Sequence, residues 1–108
     1  MLTSATSVIE RRLPITDHHS THPYEAGWAS EAVFFVQTEH TTADLSIQPE
    51  ISPDGIHWVS HGQAISLPAD AAIAALPLTT FGGWLRLSID GASADRPATV
   101  LVHLAMKG

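Results

Sequence analysis

The chain has 108 residues, 44% apolar and 15% charged, with eleven acids against five bases, a net charge of −6 and no cysteine. That length closes one modest core and not two, and the composition is that of a globular rather than a disordered protein. The acidic balance excludes a nucleic-acid reader, which needs clustered Lys and Arg to displace counterions from phosphate; the missing cysteines exclude disulfides and thiolate metal sites.

The opening "MLTSATSVIERRLPITD" carries an acid and arginines where a signal peptide has its apolar stretch, and no window reaches the apolar length that spans a bilayer. The expectation is a single domain over residues 1–108, without signal peptide or membrane insertion, working in the cytoplasm or in a particle assembled there.

In chain order, "TSVIERRLPI" reads as a weak first strand, and residues 17–30 follow as a long irregular loop. "EAVFFVQTE" is a β-branched and aromatic run that is apolar on both faces, as expected of a central strand. "ADLSIQPEI" alternates, placing Leu45, Ile47, Pro49 and Ile51 on one face; Pro49 cannot donate to a ladder and predicts an edge or a bulge. "SPDGIHW" supplies the turn chemistry of a hairpin between Glu50 and Val59, with Gly55 at positive φ and Trp58 returning to the core. "PADAAIAALP" is the one helical candidate, limited by its prolines to a couple of turns and better suited to crossing between sheets. "GWLRLSID" and "ATVLVHLAM" alternate again, with Leu85, Leu87, Ile89 and Val100, Val102, Leu104, Met106 as inward rows. Five to seven short strands joined by tight turns predict an antiparallel β-sandwich of jelly-roll or immunoglobulin-like type.

The pattern Ser52-x-Asp54-Gly55-x-x-Trp58, followed by "FGGWLRLSI", resembles that of small β-sandwich proteins of phage and bacterial origin, many of them virion-like components. It is similar, more weakly, to discoidin or coagulation-factor type C domains, which are binding modules. The resemblance spans about residues 43–106 and implies a sandwich that works by association. The Asp-box of sialidases does not fit, because Gly55 directly follows Asp54 and no copy recurs.

Three candidate sites follow from the residues. If the last two strands are neighbours, Trp84, Arg86, Leu101 and His103 share one outer face, and Trp and Arg are the residues most enriched in interface hot spots. Such a face needs a protein partner, a second copy, or the Tyr24–Trp28 loop folded over it. Tyr24, Trp28 and His57 could instead form a stacking platform for a carbohydrate or small ligand. His18, His19 and His22, within five positions, could ligate a metal, although their spacing matches no motif with a mechanism.

For catalysis there is no GxSxG elbow, phosphate-binding glycine loop or evident carboxylate pair, and Ser60, His61 and Asp54 are close only along the chain. The sequence therefore predicts a non-catalytic structural or accessory subunit that needs no cofactor and associates with protein. Its seven histidines suggest an assembly state that changes on mild acidification.

Overall fold

A computed structural model describes residues 3–108. Its strands are β1 (Ser4–Ile15), β2 (His19–Ser20), β3 (Tyr24–Glu25), β4 (Glu31–Glu39), β5 (Leu45–Ser52), β6 (Val59–Ser60), β7 (Ile65–Leu67), β8 (Ile73–Thr79), β9 (Trp84–Asp90) and β10 (Ala98–Lys107). All pairings are antiparallel. Sheet A has the order β1-β10-β4-β8, and sheet B the order β2-β9-β5-β6, with β3 also on β9 and β7 also on β5.

Taking β2 with β3, and β6 with β7, as two interrupted rows leaves eight rows. In chain order the sheets then run 1-8-3-6 and 2-7-4-5, so successive rows lie mostly in opposite sheets. Of the two sandwich types the sequence allows, this is the jelly roll. Among the described residues no helix is long and apolar enough to cross a membrane.

The core forms where the inward rows meet. Ala32, Phe34 and Val36 of β4 and Val100, Val102, Leu104 and Met106 of β10 face Leu85, Leu87 and Ile89 of β9 and Leu45 and Ile47 of β5, all fully buried. Each of the large side chains contributes about 1.5–3 kcal/mol by leaving water. This burial fixes register, because a slip of one residue would turn a whole row outward.

Pro49 sits where the outer partner of β5 changes from β6 to β7. Its carbonyl accepts from His61 N–H at 2.9 Å on that side, so its missing donor faces a break in the ladder. The helical candidate is corrected. After a turn closed by Ala71 N–H on the Pro68 carbonyl, the segment crosses to sheet A and runs as edge strand β8 opposite β4. Alanine's helix preference is outweighed by burial of Leu76 and Leu78, and Pro77 is tolerated because β8 is an edge.

β1 carries two one-residue bulges. Val8 lies opposite His103, but Glu10 lies opposite Val102 and Leu13 opposite Val100, so β1 gains one residue in each interval. The first bulge switches Glu10 from the outward row of Thr6 and Val8 to the inward row. There its side chain is 5% exposed, and its carboxylate accepts from His19 Nε2 at 2.8 Å. The second contains Arg12, whose φ of +45° is left-handed for a non-glycine residue, and leaves Arg11 and Arg12 both exposed. Re-aiming side chains is what bulges do.

Candidate interaction face

The "SPDGIHW" stretch is an architectural hairpin. Buried Ser52 accepts the N–H groups of Asp54 and Gly55 on its hydroxyl at 3.2 and 2.8 Å and donates to Asp54 Oδ1 at 2.9 Å. Asp54 in turn accepts the N–H groups of Ile56 and His57 at 2.9 and 2.8 Å and the His57 ring at 2.7 Å. These bonds hold its carboxyl well below the usual carboxylate range, the His57 backbone N–H contributing most, then the His57 ring and the Ile56 N–H.

Gly55, at φ +79°, lies against the indole of Trp84, close enough that a Cβ there would sit 3.3 Å from the ring. Trp58 does not return to the core. It lies on the outer face of sheet B under the Arg86 guanidinium, 4.2 Å from carbon to ring centroid, and Arg86 Nε donates to Glu50 at 2.7 Å.

The four-residue face expected from β9 and β10 does not exist as one surface. The two strands lie in different sheets, so Trp84 and Arg86 look out from sheet B, and Leu101 and His103 from sheet A. The connection from 91 to 97 crosses the sandwich instead of closing a hairpin. Trp84 is covered from within the chain by the hairpin at Gly55, not by the Tyr24–Trp28 loop.

The remaining outward positions separate the two faces by chemistry. On sheet B they are Ser20, Ser46, Gln48, Glu50, Arg86 and Ser88, a polar set. On sheet A the register lines up three rows across the strands: Thr6, Ala105, Val33 and Pro77; Val8, His103, Phe35 and Ala75; Leu101, Gln37 and Ile73. Only His103, Gln37 and Thr6 are polar. Val8 is 43% and Ile73 53% exposed.

The second apolar row of "EAVFFVQTE", read as the mark of a central strand, thus lies on an outer surface that no other element of the described residues covers. At the β1 side the face ends in a cleft of about 320 Å³ lined by Val8, Arg11, Arg12, Leu101 and His103.

The other candidate sets do not converge. Tyr24 packs against the core, its hydroxyl 2.9 Å from Ser7 Oγ, while Trp28 stands half-exposed against Gly108 and His57 is tied to Asp54 on the hairpin. A platform of three rings is therefore not formed. Adjacent in the chain, with only His19 on β2, His18 and His19 point apart, the first donating to Asp90 at 2.8 Å and the second to Glu10; His22 stands 3.9 Å from Glu10. Among the described residues no three His, Asp or Glu side chains are placed to hold a metal ion. His61 donates its ring N–H to the Thr79 carbonyl at 2.7 Å and makes no bond with Ser60 or Asp54.

Fold and surface together define a small jelly-roll domain whose outer face is mostly apolar on sheet A and, apart from Trp58 and Trp84 at the hairpin, polar on sheet B. The chain belongs to the DUF6385 family, described as a domain of unknown function, whose sequence profile matches residues 28–108, from just before β4 to the end of β10. No curated protein matches it in sequence.

Among solved structures its fold is similar to that of the PBSX exported protein XepA, with TM-score 0.72 and 9% identity over 94% of this chain and 36% of XepA. It is similar also to the SPBc2 prophage-derived protein YomS, with TM-score 0.67 and 9% identity over 100% of this chain and 96% of YomS. A third likeness is to the infectious bursal disease virus Gx strain structure, with TM-score 0.56 and 11% identity over 98% of this chain and 32% of that one. The chain spans about a third of XepA and nearly all of YomS. These neighbours include small phage-derived β proteins, the kind the hairpin pattern resembles.

Proposed function

We propose that this domain is a non-catalytic structural or accessory subunit that works by protein–protein association through the outer face of sheet A, in a particle of phage or virion kind. The observation that carries the reading is the run of three aligned rows in which eight of eleven outward residues are apolar. Its fold likeness to phage-derived and viral proteins supports the setting.

Four strands ~4.8 Å apart and three rows ~7 Å apart make a patch of roughly 400 Å². The largest apolar patch on a typical monomer is of about that size and is often functional. This patch is about half of the ~800 Å² each partner gives to a stable interface, so the contact extends onto the polar margin.

Phe35→Ser, alone and with Leu101→Ser, tests the reading, because neither side chain belongs to the buried core. The expected result in sedimentation velocity is concentration-dependent association by the wild type, weakened at least about tenfold in the variants while circular dichroism stays native. A wild type that is monomeric at the highest attainable concentration, and that binds a phage or virion particle no better than Phe35→Ser does, would sink it.

A further inference from the structure

Two of the three basic residues on the strands of sheet A, Arg11 and Arg12, lie together, while Lys107 stands at the far end of β10. The two bulges of β1 act as a pair: one buries Glu10, and the next brings Arg11 and Arg12 out side by side at the cleft floored by Val8, Leu101 and His103. The placement is held against a backbone cost, since Arg12 is left-handed at φ +45°.

Arg11 has no ion-pair partner among the described residues, and Arg12 has only an exposed contact to Glu39 at 3.4 Å. Two of the five basic side chains thus meet in one place on a chain of net charge −6. The acids are elsewhere engaged or outside this cleft: Glu10 is turned inward to His19, and Glu39 touches Arg12 from the rim.

We infer, resting on the association reading above, that this cleft receives an acidic segment of a partner protein, a carboxylate beside an apolar side chain, with Arg11 and Arg12 pairing the carboxylate and Val8 and Leu101 taking the apolar group. Charge complementarity argues for it, because an arginine fork recognises carboxylate geometry, while the acidic remainder of the surface repels the same segment from other sites. It also accounts for the interface area the apolar rows alone do not supply.

The test is amide chemical-shift mapping on the full chain, titrated with a short peptide of glutamates flanking one leucine, with its glutamine counterpart, and with inorganic phosphate. The expected result is saturable shifts at Val8, Arg11, Arg12, Leu101 and His103 with the acidic peptide, at least about tenfold weaker with the glutamine peptide and reduced by added salt. The double variant Arg11→Gln with Arg12→Gly should lose them while its remaining spectrum stays native, glycine being at ease at that φ.

No localised shift with any probe overturns the inference. Saturation by phosphate as tight as by the peptide overturns it in favour of a small anion. Shifts at the Arg11 and Arg12 amides that grow with protein concentration alone and do not change when the acidic peptide is added overturn it in favour of a second copy. Peptide binding that survives in Phe35→Ser, together with a Phe35→Ser that changes no assembly, would leave the cleft standing and remove only the wider face.

Discussion

The Arg86 guanidinium lies 4.2 Å from the centroid of the Trp58 ring. Together with Gly55 against the Trp84 indole, this contact closes the hairpin onto sheet B. Arg86 and Glu50 are cross-strand partners on β9 and β5, their 2.7 Å bond is largely shielded from water, and the guanidinium also stacks on the Trp58 ring. The stack belongs to the folding of the chain, since it uses up the aromatic and the cation that would otherwise mark sheet B as a binding face.

Trp58→Ala should therefore cost about 1–2 kcal/mol, combining a partly desolvated cation–π contact with lost packing. It should leave association through sheet A unchanged. Urea unfolding measures the first and sedimentation the second. A stability loss within a few tenths of a kcal/mol would mean the ring merely rests there.

Gly91 follows β9 at φ +115°, and a Cβ on it would run into the carbonyl oxygen of Asp44. Backbone cannot swing aside as a side chain can, so Gly91→Ala should destabilise by more than about 3 kcal/mol or prevent folding. Gly62→Ala is the control. Its φ of +72° is also left-handed but the space around it is open, so it should cost only about 1 kcal/mol. Equal effects at the two positions would show that conformation and not the close approach to Asp44 decides the matter.

What was legible in the sequence was legible through period and turn chemistry. β4 begins and ends where "EAVFFVQTE" does, the inward rows of β5, β9 and β10 alternate as expected, and the Pro-Asp-Gly turn pairs Ile51 with Val59 and Glu50 with Ser60. Two-residue strands such as β2, β3 and β6 leave no period to read. β8 was obscured by alanines whose local preference loses to burial. The pairing of β9 with β10 failed because neighbours in sequence usually pair in space, whereas a jelly roll sends successive strands to opposite sheets. The signal that could have exposed this was the second apolar row of β4, Val33 and Phe35, which in a two-layer protein has no inner surface to face. The bulges left only a break in alternation at "IERRL".

Asp54 provides a pH prediction. Its folded carboxyl is held low by bonds that unfolding removes, so the stabilisation is present above the ordinary aspartate value of about 4 and is lost as pH falls below it. Asp54→Asn keeps the Oδ1 acceptor and removes the charge. The unfolding midpoints of wild type and variant should differ near neutral pH and converge toward pH ~2. Direct carbon-detected titration of the carboxyl should give a midpoint clearly below that of an unstructured aspartate; an ordinary midpoint would show that the His57 and Ile56 bonds do not persist in solution.

Arg12 separates what folding needs from what binding needs. Its φ of +45° costs a non-glycine residue about 1–2 kcal/mol, while glycine at the same place avoids that cost and loses about 0.5–1 kcal/mol through the freedom of the unfolded chain. The exposed contact with Glu39 contributes little. Arg12→Gly should therefore be neutral or slightly stabilising in urea unfolding, and Arg12→Val clearly destabilising, because a β-branched side chain fits the left-handed region worst. If Arg12→Gly instead destabilised by more than about 1 kcal/mol, the guanidinium would be a structural group and the cleft would owe its shape to it. With the expected outcome, arginine gives the fold nothing that glycine would not, and what distinguishes the two at this bulge is a cation set beside Leu101 and His103.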